Sequence, residues 1–163
     1  MGTLPPEPNA ALIKLAFFQG LDPDEQDLIL KRFRPEHHNA GTVIFLQDQP
    51  ADRLYLLVSG QVEIVFKPYD GEQLTVSLID PGGVFGWSAA LGRSGYTSSA
   101  RCAADSECLS IRGSDLRRMC EEHPATGVVL LERLAEAIAQ RLTSTHEHVM
   151  ELLRQGIRPV PES

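Results

Sequence analysis

Five histidines and three cysteines are the first residues of this 163-residue chain that could hold a metal or attack a substrate. His37 and His38 are adjacent, His123 precedes the last helical segment, and His146 and His148 stand two apart within it. Adjacent histidines on a loop, and a pair two apart on a helix, point in different directions and chelate poorly, so no metal site is expected. Cys102, Cys108 and Cys120 are odd in number and lack C-x-x-C spacing. That pattern argues against a disulfide framework, a zinc site, haem or an iron–sulfur cluster, and the three read as reduced, mostly buried thiols. A nucleophile beside a base, a G-x-S-x-G elbow and a phosphate-cradling Walker loop are missing, and His146-Glu147-His148 does not meet the H-E-x-x-H pattern. No catalytic residue is assigned, and no enzymatic activity is expected.

Composition narrows the class further. With 42% hydrophobic and 23% charged residues the chain is of ordinary globular composition and long enough for one well-formed core. Its net charge of −7 disfavours polyanionic partners, so neither nucleic acid nor an anionic membrane is expected to bind it. Apolar runs such as Leu54 to Val58 fall far short of the ~20 residues that span a bilayer. Met1 to Asn9 holds three prolines, one acid and no basic residue, unlike a secretory signal, so a cytoplasmic location is expected.

The elements follow from periodicity. Residues 1–10 read as a flexible N-terminus. Leu12, Leu15, Ala16 and Phe18 fit the face of a short helix over 11–18, and Asp22-Pro23-Asp24-Glu25 supplies the N-cap, first-turn proline and third-position glutamate of a second. From Gly41 the apolar period drops to two: Thr42 to Phe45, Leu54 to Val58, Val62 to Phe66, Leu74 to Leu78, Ser98 to Ala103 and Glu107 to Ile111 all read as strands. Short strands separated by Gly, Pro and Asp turns predict a closed or double-sheet antiparallel architecture. Helical spacing returns after Ile111, where Gly113-Ser114-Asp115 offers a cap, and Pro124 opens a long helix to about Arg154, with a tail over 155–163. Along it Ala135, Ile138, Leu142, Thr145, Val149 and Leu152 are spaced 3, 4, 3, 4 and 3, a heptad seam that predicts pairing with a second copy. The alternative is that Leu130, Leu131 and Leu134 pack on the barrel and the rest of the helix is solvated.

Three motifs, Gly41-Thr42-Val43-Ile44-Phe45, the run Asp52 to Val62, and Asp80-Pro81-Gly82-Gly83-Val84-Phe85-Gly86, are followed by Ala104-Asp105. In this order the chain resembles the cyclic-nucleotide-binding domain family, the sensor module of catabolite-activator transcription factors and cyclic-AMP-dependent kinase regulatory subunits, over about residues 12 to 154. The resemblance implies an eight-stranded antiparallel jelly roll (a double-stranded β-helix) flanked by helices; the domain is placed at 11–123 with its N-terminal helices, and the helix whose heptad seam predicts dimerisation at 124–154. With nothing after Arg154 able to form a helix-turn-helix, a stand-alone sensor without a DNA-reading domain is expected.

The same resemblance places a phosphate-binding cassette at Phe85-Gly86-Trp87-Ser88-Ala89, as a short helix whose amides face the cyclic phosphate. Family members carry a glutamate for the ribose 2′-hydroxyl after that glycine, and an arginine for the phosphate nine residues later. This chain has Trp87 and Tyr96 there. Without the arginine's charge, ordinary cyclic AMP or cyclic GMP binding is expected to be weak or lost. Tyr96, Thr97 and Ser98 join the cassette as ligand-binding candidates, and Arg93 and Arg101 are candidate anion partners from other directions. Set against that, Arg93 reads as a solvated turn residue and Arg101 as one face of a strand. Trp87 and Tyr96 could stack on a flat ligand or plug an unused pocket. Two functions therefore compete: a homodimeric sensor of a cyclic nucleotide or other small anion, and a ligand-free module that dimerises or docks an unknown protein partner.

Overall fold

The computed structural model describes residues 18–154, and the side chains of that span except those at 140–146, 148, 149 and 152. The helix expected over 11–18 lies outside the described residues apart from Phe18. Helix α1 (Pro23–Arg32) starts as expected: the Asp22 carboxylate accepts the Glu25 N–H at 2.8 Å and the Glu25 carboxylate accepts the Asp22 N–H at 3.1 Å, a complete capping box with proline in the first turn.

Eight strands follow: β1 (Arg34–His38), β2 (Val43–Phe45), β3 (Arg53–Ser59), β4 (Val62–Phe66), β5 (Leu74–Ile79), β6 (Val84–Phe85), β7 (Ser99–Cys102) and β8 (Ser106–Arg112). They form two four-stranded antiparallel sheets ordered β1-β8-β3-β6 and β2-β7-β4-β5. Helices α2 (Gly113–Glu122) and α3 (Pro124–Arg154) complete the described chain. The mainly antiparallel architecture with a long C-terminal helix is the one the sequence predicts. Helix α2 does not use the expected cap: it starts from Arg112 without a side-chain cap bond, because the strand–helix junction is pinned instead by the Gly113 N–H donating to the Asp52 carbonyl at 3.0 Å.

Strand β3 shows why its sequence is apolar without interruption. Leu54 and Leu56 face one core with Leu109, Ile111, Ile29, Met119, Leu130 and Leu134, whereas Tyr55 and Leu57 face the space between the sheets with Phe45, Ile64, Phe85 and Cys108. A sheet covered on both faces needs apolar residues at both strand phases, each fully buried one contributing about 1.5–3 kcal/mol. Leu130 and Leu134 anchor α3 to the helix-side core, but Leu131 stays 53% exposed. Among the described residues no helix is long and apolar enough to cross a membrane, and no group of three or more potential ligand side chains is placed to hold a metal.

His37 and His38, read as loop residues from sequence, belong to β1. This strand has no apolar alternation; polar pairs across to β8 hold it, with His37 Nδ1 2.5 Å from the Glu107 carboxylate and Ser110 Oγ donating to Glu36 at 2.5 Å. Burial, the largest single influence, pushes the Glu36 carboxyl up, but hydrogen bonds from Ser110, His38 and Arg34 and the Arg34 charge outweigh it, and Glu36 titrates below its ordinary value of 4.5. A carboxyl depressed in the native state stabilises the fold above its unfolded value and loses that contribution as pH falls through the native one. The melting temperature is therefore expected to drop on acidification below about pH 4.5, and less steeply in Glu36→Gln; equal slopes in thermal melts of the two proteins would count against this assignment.

Candidate functional site

The cassette is shaped by one glycine. Gly86 follows β6 with φ +77, and a Cβ there would lie 2.9 Å from the Arg53 carbonyl oxygen and 3.2 Å from the Tyr55 ring. After it, the Ala89 N–H donates to the Gly86 carbonyl (3.2 Å), Leu91 to Trp87 (3.0 Å), Gly92 to Ala89 (3.4 Å) and Arg93 to Ser88 (2.9 Å). These mixed bond lengths along the chain make an irregular run of turns over 87–92, where the resemblance implies a short helix. The second arm, 93–98, is tied to the preceding loop: the Asp48 N–H donates to Tyr96 (2.8 Å), Tyr96 to Gln49 (3.0 Å) and Ala51 to Ser94 (3.1 Å).

Between these arms and the sheet carrying β2 and β4 lies a cavity of about 270 Å³. Phe45, Ile64, Gly86, Trp87, Leu91 and Tyr96 make its apolar lining; Ser88, Thr97 and Ser98 add hydroxyls and Arg93 the one full charge among the described residues. Six of the eight cassette candidates thus meet around one space. Phe85 and Ala89 do not line it: Phe85 stacks on Tyr55 in the core with centroids 5.1 Å apart, and Ala89 turns its carbonyl towards Gly113. Arg101 is also elsewhere. Strand alternation sends it to the outer face between the inward residues Ala100 and Cys102, and its guanidinium pairs with Glu63 at 3.3 Å. Phe45, Ile64 and Leu91 were missed as lining residues, although the inward phase of Val62 and Ile64 was readable from their alternation.

Tyr96 neither protrudes nor blocks. Its ring stacks on Phe45 with centroids 3.7 Å apart and planes 13° from parallel, and its hydroxyl donates to the Arg53 carbonyl (2.7 Å) while accepting the Arg53 N–H (2.9 Å). Burial pushes the phenol above its ordinary value of 10.0, so it stays neutral. Tyr96→Phe would orphan two backbone groups, and a loss of about 1–3 kcal/mol in urea unfolding is expected; an unchanged midpoint would show that solvent reaches them. The cysteines are not reactive partners for this site. Burial pushes the Cys108 thiol up to about 12 and Cys102 upward as well, and all three cysteines are unpaired.

The model of the cyclic nucleotide-binding domain family matches residues 35–123, more than half of the chain and all of the cavity's walls. The chain belongs to this family. As a cyclic nucleotide-binding domain it is 31% identical over 155 residues to the cyclic AMP receptor protein of Thermus thermophilus, covering 88% of this chain and 72% of that one. It is 27% identical over 142 residues to the CRP-like cAMP-activated global transcriptional regulator of Mycobacterium tuberculosis, covering 87% of this chain; it spans 62% of that relative's length. In structure it matches a cyclic nucleotide-binding domain from Methylobacillus flagellatus with a TM-score of 0.78 at 14% identity, over 94% of this chain and 85% of the other, a likeness of fold. Within this cyclic nucleotide-binding domain, cavity and core share walls, since Phe45 and Tyr96 belong to both.

The junction behind the cassette is equally tight. A Cβ on Gly113, the first residue of α2, would lie 3.1 Å from the Ala89 carbonyl carbon and closer still to its oxygen, so cassette and helix meet through backbone atoms.

Proposed function

We propose that this cyclic nucleotide-binding domain is a homodimeric regulatory sensor whose cassette has been altered so that ordinary cyclic AMP and cyclic GMP bind weakly. The observation that carries the reading is an open cavity walled by Trp87 and Tyr96, at the positions where the resemblance implies glutamate and arginine. Tyr96 offers no charge and its hydroxyl is committed to Arg53. A charge-assisted bond of about 1.5–3 kcal/mol is thereby forgone, a factor of roughly ten or more in affinity. Calorimetric titration of the ligand-stripped protein with cyclic AMP and cyclic GMP is expected to show no saturation in the micromolar range. Micromolar binding would overturn the altered cassette, and failure of every small ligand to bind or to change α3 would overturn the sensor.

Dimerisation is supported by α3. Val128 and Leu131 are exposed in the single chain, Ala135 is exposed and Ile138 half-buried, and their 3-4-3 spacing continues into Leu142, Thr145, Val149 and Leu152, whose side chains lie outside those described. An apolar stripe of this period fits the same stripe on a second copy. Leu131→Asp with Ile138→Asp is expected to weaken self-association at least about 100-fold by sedimentation, with the fold retained, because each chain buries two charges in place of two apolar contacts. Dimers persisting in the double variant would place the interface elsewhere. The stripe equally favours the second reading, a ligand-free module that dimerises or docks a partner. A constitutive dimer with no saturable ligand would select it. A cytoplasmic setting, free of nucleic-acid and membrane contact, completes the proposal.

A further inference from the structure

We infer that the cavity takes a small organic monoanion, a carboxylate carrying an aromatic or branched apolar body, with its head group on Ser88 and Arg93. This rests on the sensor reading above and names the ligand class of the same site.

Ser88 is the first ground. The residue is only 9% exposed and lines the cavity, yet among the described residues neither its hydroxyl nor its N–H has a hydrogen-bond partner. Buried polar groups in native proteins are nearly always partnered, so an orphan pair on a cavity wall marks where a ligand atom belongs. The Ser88 carbonyl accepts the Arg93 N–H at 2.9 Å, which fixes Arg93 to the same turn. The second ground is charge. Arg93 lines the cavity and reaches no carboxylate among the described residues, whereas Arg101 one strand away is paired with Glu63. A guanidinium fork matches one carboxylate. With no Asp or Glu on the lining among the described residues, a cation would meet no counter-charge there and a ribose diol no carboxylate acceptor. The third ground is the body: the Phe45–Tyr96 stack, Ile64 and Leu91 line the space with apolar and aromatic groups. At about 270 Å³ the space is just below the ~300–1,000 Å³ of drug-sized sites, which limits the body to roughly one ring.

Trp87 is the chain's single tryptophan and stands on the cavity wall, so its emission reports occupancy. The full chain would be titrated with phenylacetate, its neutral isostere phenylacetamide, inorganic phosphate and cyclic AMP, each also followed by calorimetry. Phenylacetate is expected to saturate, with phenylacetamide and phosphate each at least about 10-fold weaker. Arg93→Ala, on an exposed turn, should weaken phenylacetate about 10-fold or more and Ser88→Ala several-fold, with the melting temperature of the free protein unchanged. No saturation with phenylacetate, equal binding of phenylacetamide, or an unaffected Arg93→Ala would overturn the inference. Saturation by cyclic AMP or phosphate but not phenylacetate would overturn it while leaving a sensor in place; silence from all four probes in both readouts would overturn it and favour the ligand-free module.

Discussion

The double variant Trp87→Glu, Tyr96→Arg is expected to bind cyclic AMP at least about tenfold more tightly than the natural chain. Both residues already stand on the cavity wall, so the new carboxylate and guanidinium can be offered to it without rerouting the backbone. The guanidinium can keep a planar stack on Phe45, which now packs against Tyr96 at 3.7 Å. What it cannot keep is the hydroxyl that serves both Arg53 backbone groups. The ligand-free variant should therefore melt several degrees lower, consistent with about 1–3 kcal/mol lost, and saturating cyclic AMP should recover part of that difference through linkage. Calorimetry read beside thermal melts separates the two effects. A variant that melts lower and still ignores cyclic AMP would mean that the irregular turns over 87–92, and not the two side chains, are what keep cyclic nucleotides out.

A larger cost in stability is expected at Gly60, which does not line the cavity. The residue joins β3 to β4 at φ +93, and a Cβ would lie 2.7 Å from Ser106 Cα and closer still to Ser106 Oγ and the Asp105 carbonyl. Neither obstacle can move freely: Ser106 Oγ donates to the Ala104 carbonyl at 2.8 Å and accepts the Gln61 N–H at 3.2 Å, and the Asp105 carboxylate holds the Ala40 N–H at 2.8 Å. Left-handed backbone costs an alanine about 1–2 kcal/mol and overpacking typically about 1–3 kcal/mol more. Gly60→Ala should thus lose on the order of 3 kcal/mol, roughly 10 °C in melting temperature for a domain of this size. A loss under about 1 kcal/mol would show that the β7–β8 turn yields more readily than its hydrogen bonds imply.

Most of the fold was legible because burial wrote itself into periodicity. The strands β2 to β5, β7 and β8 were found from alternation or, for β3, from a short unbroken apolar run, and α1 from its capping box. Strand β1 escaped because Arg34-Pro35-Glu36-His37-His38 meets β8 through polar pairs, His37 with Glu107 and Glu36 with Ser110, which leave no apolar signature, and β6 because two residues are too few to show a period. At the site, the cassette residues were identified in the chain, but the sequence could not show that Tyr96 turns its hydroxyl onto Arg53 or that Arg101 faces outward to Glu63. Nor could it show that the Ser88 hydroxyl and N–H find no partner among the described residues, since an orphan donor is defined by its surroundings and not by residue type.

The backbone-to-backbone seat of Gly113 on Ala89 has a mechanical meaning. Where side chains separate two elements, a rotamer change can swallow a displacement of an ångström or so before the neighbour feels it. Here the cassette carbonyl meets the first residue of α2 with no side chain of Gly113 between them, and Arg117 of the same helix donates to that carbonyl at 3.5 Å, so the joint has little free play. Any shift of the turn that carries Ser88 and Arg93 must either be resisted or be handed on, at nearly full amplitude, to the helices behind it.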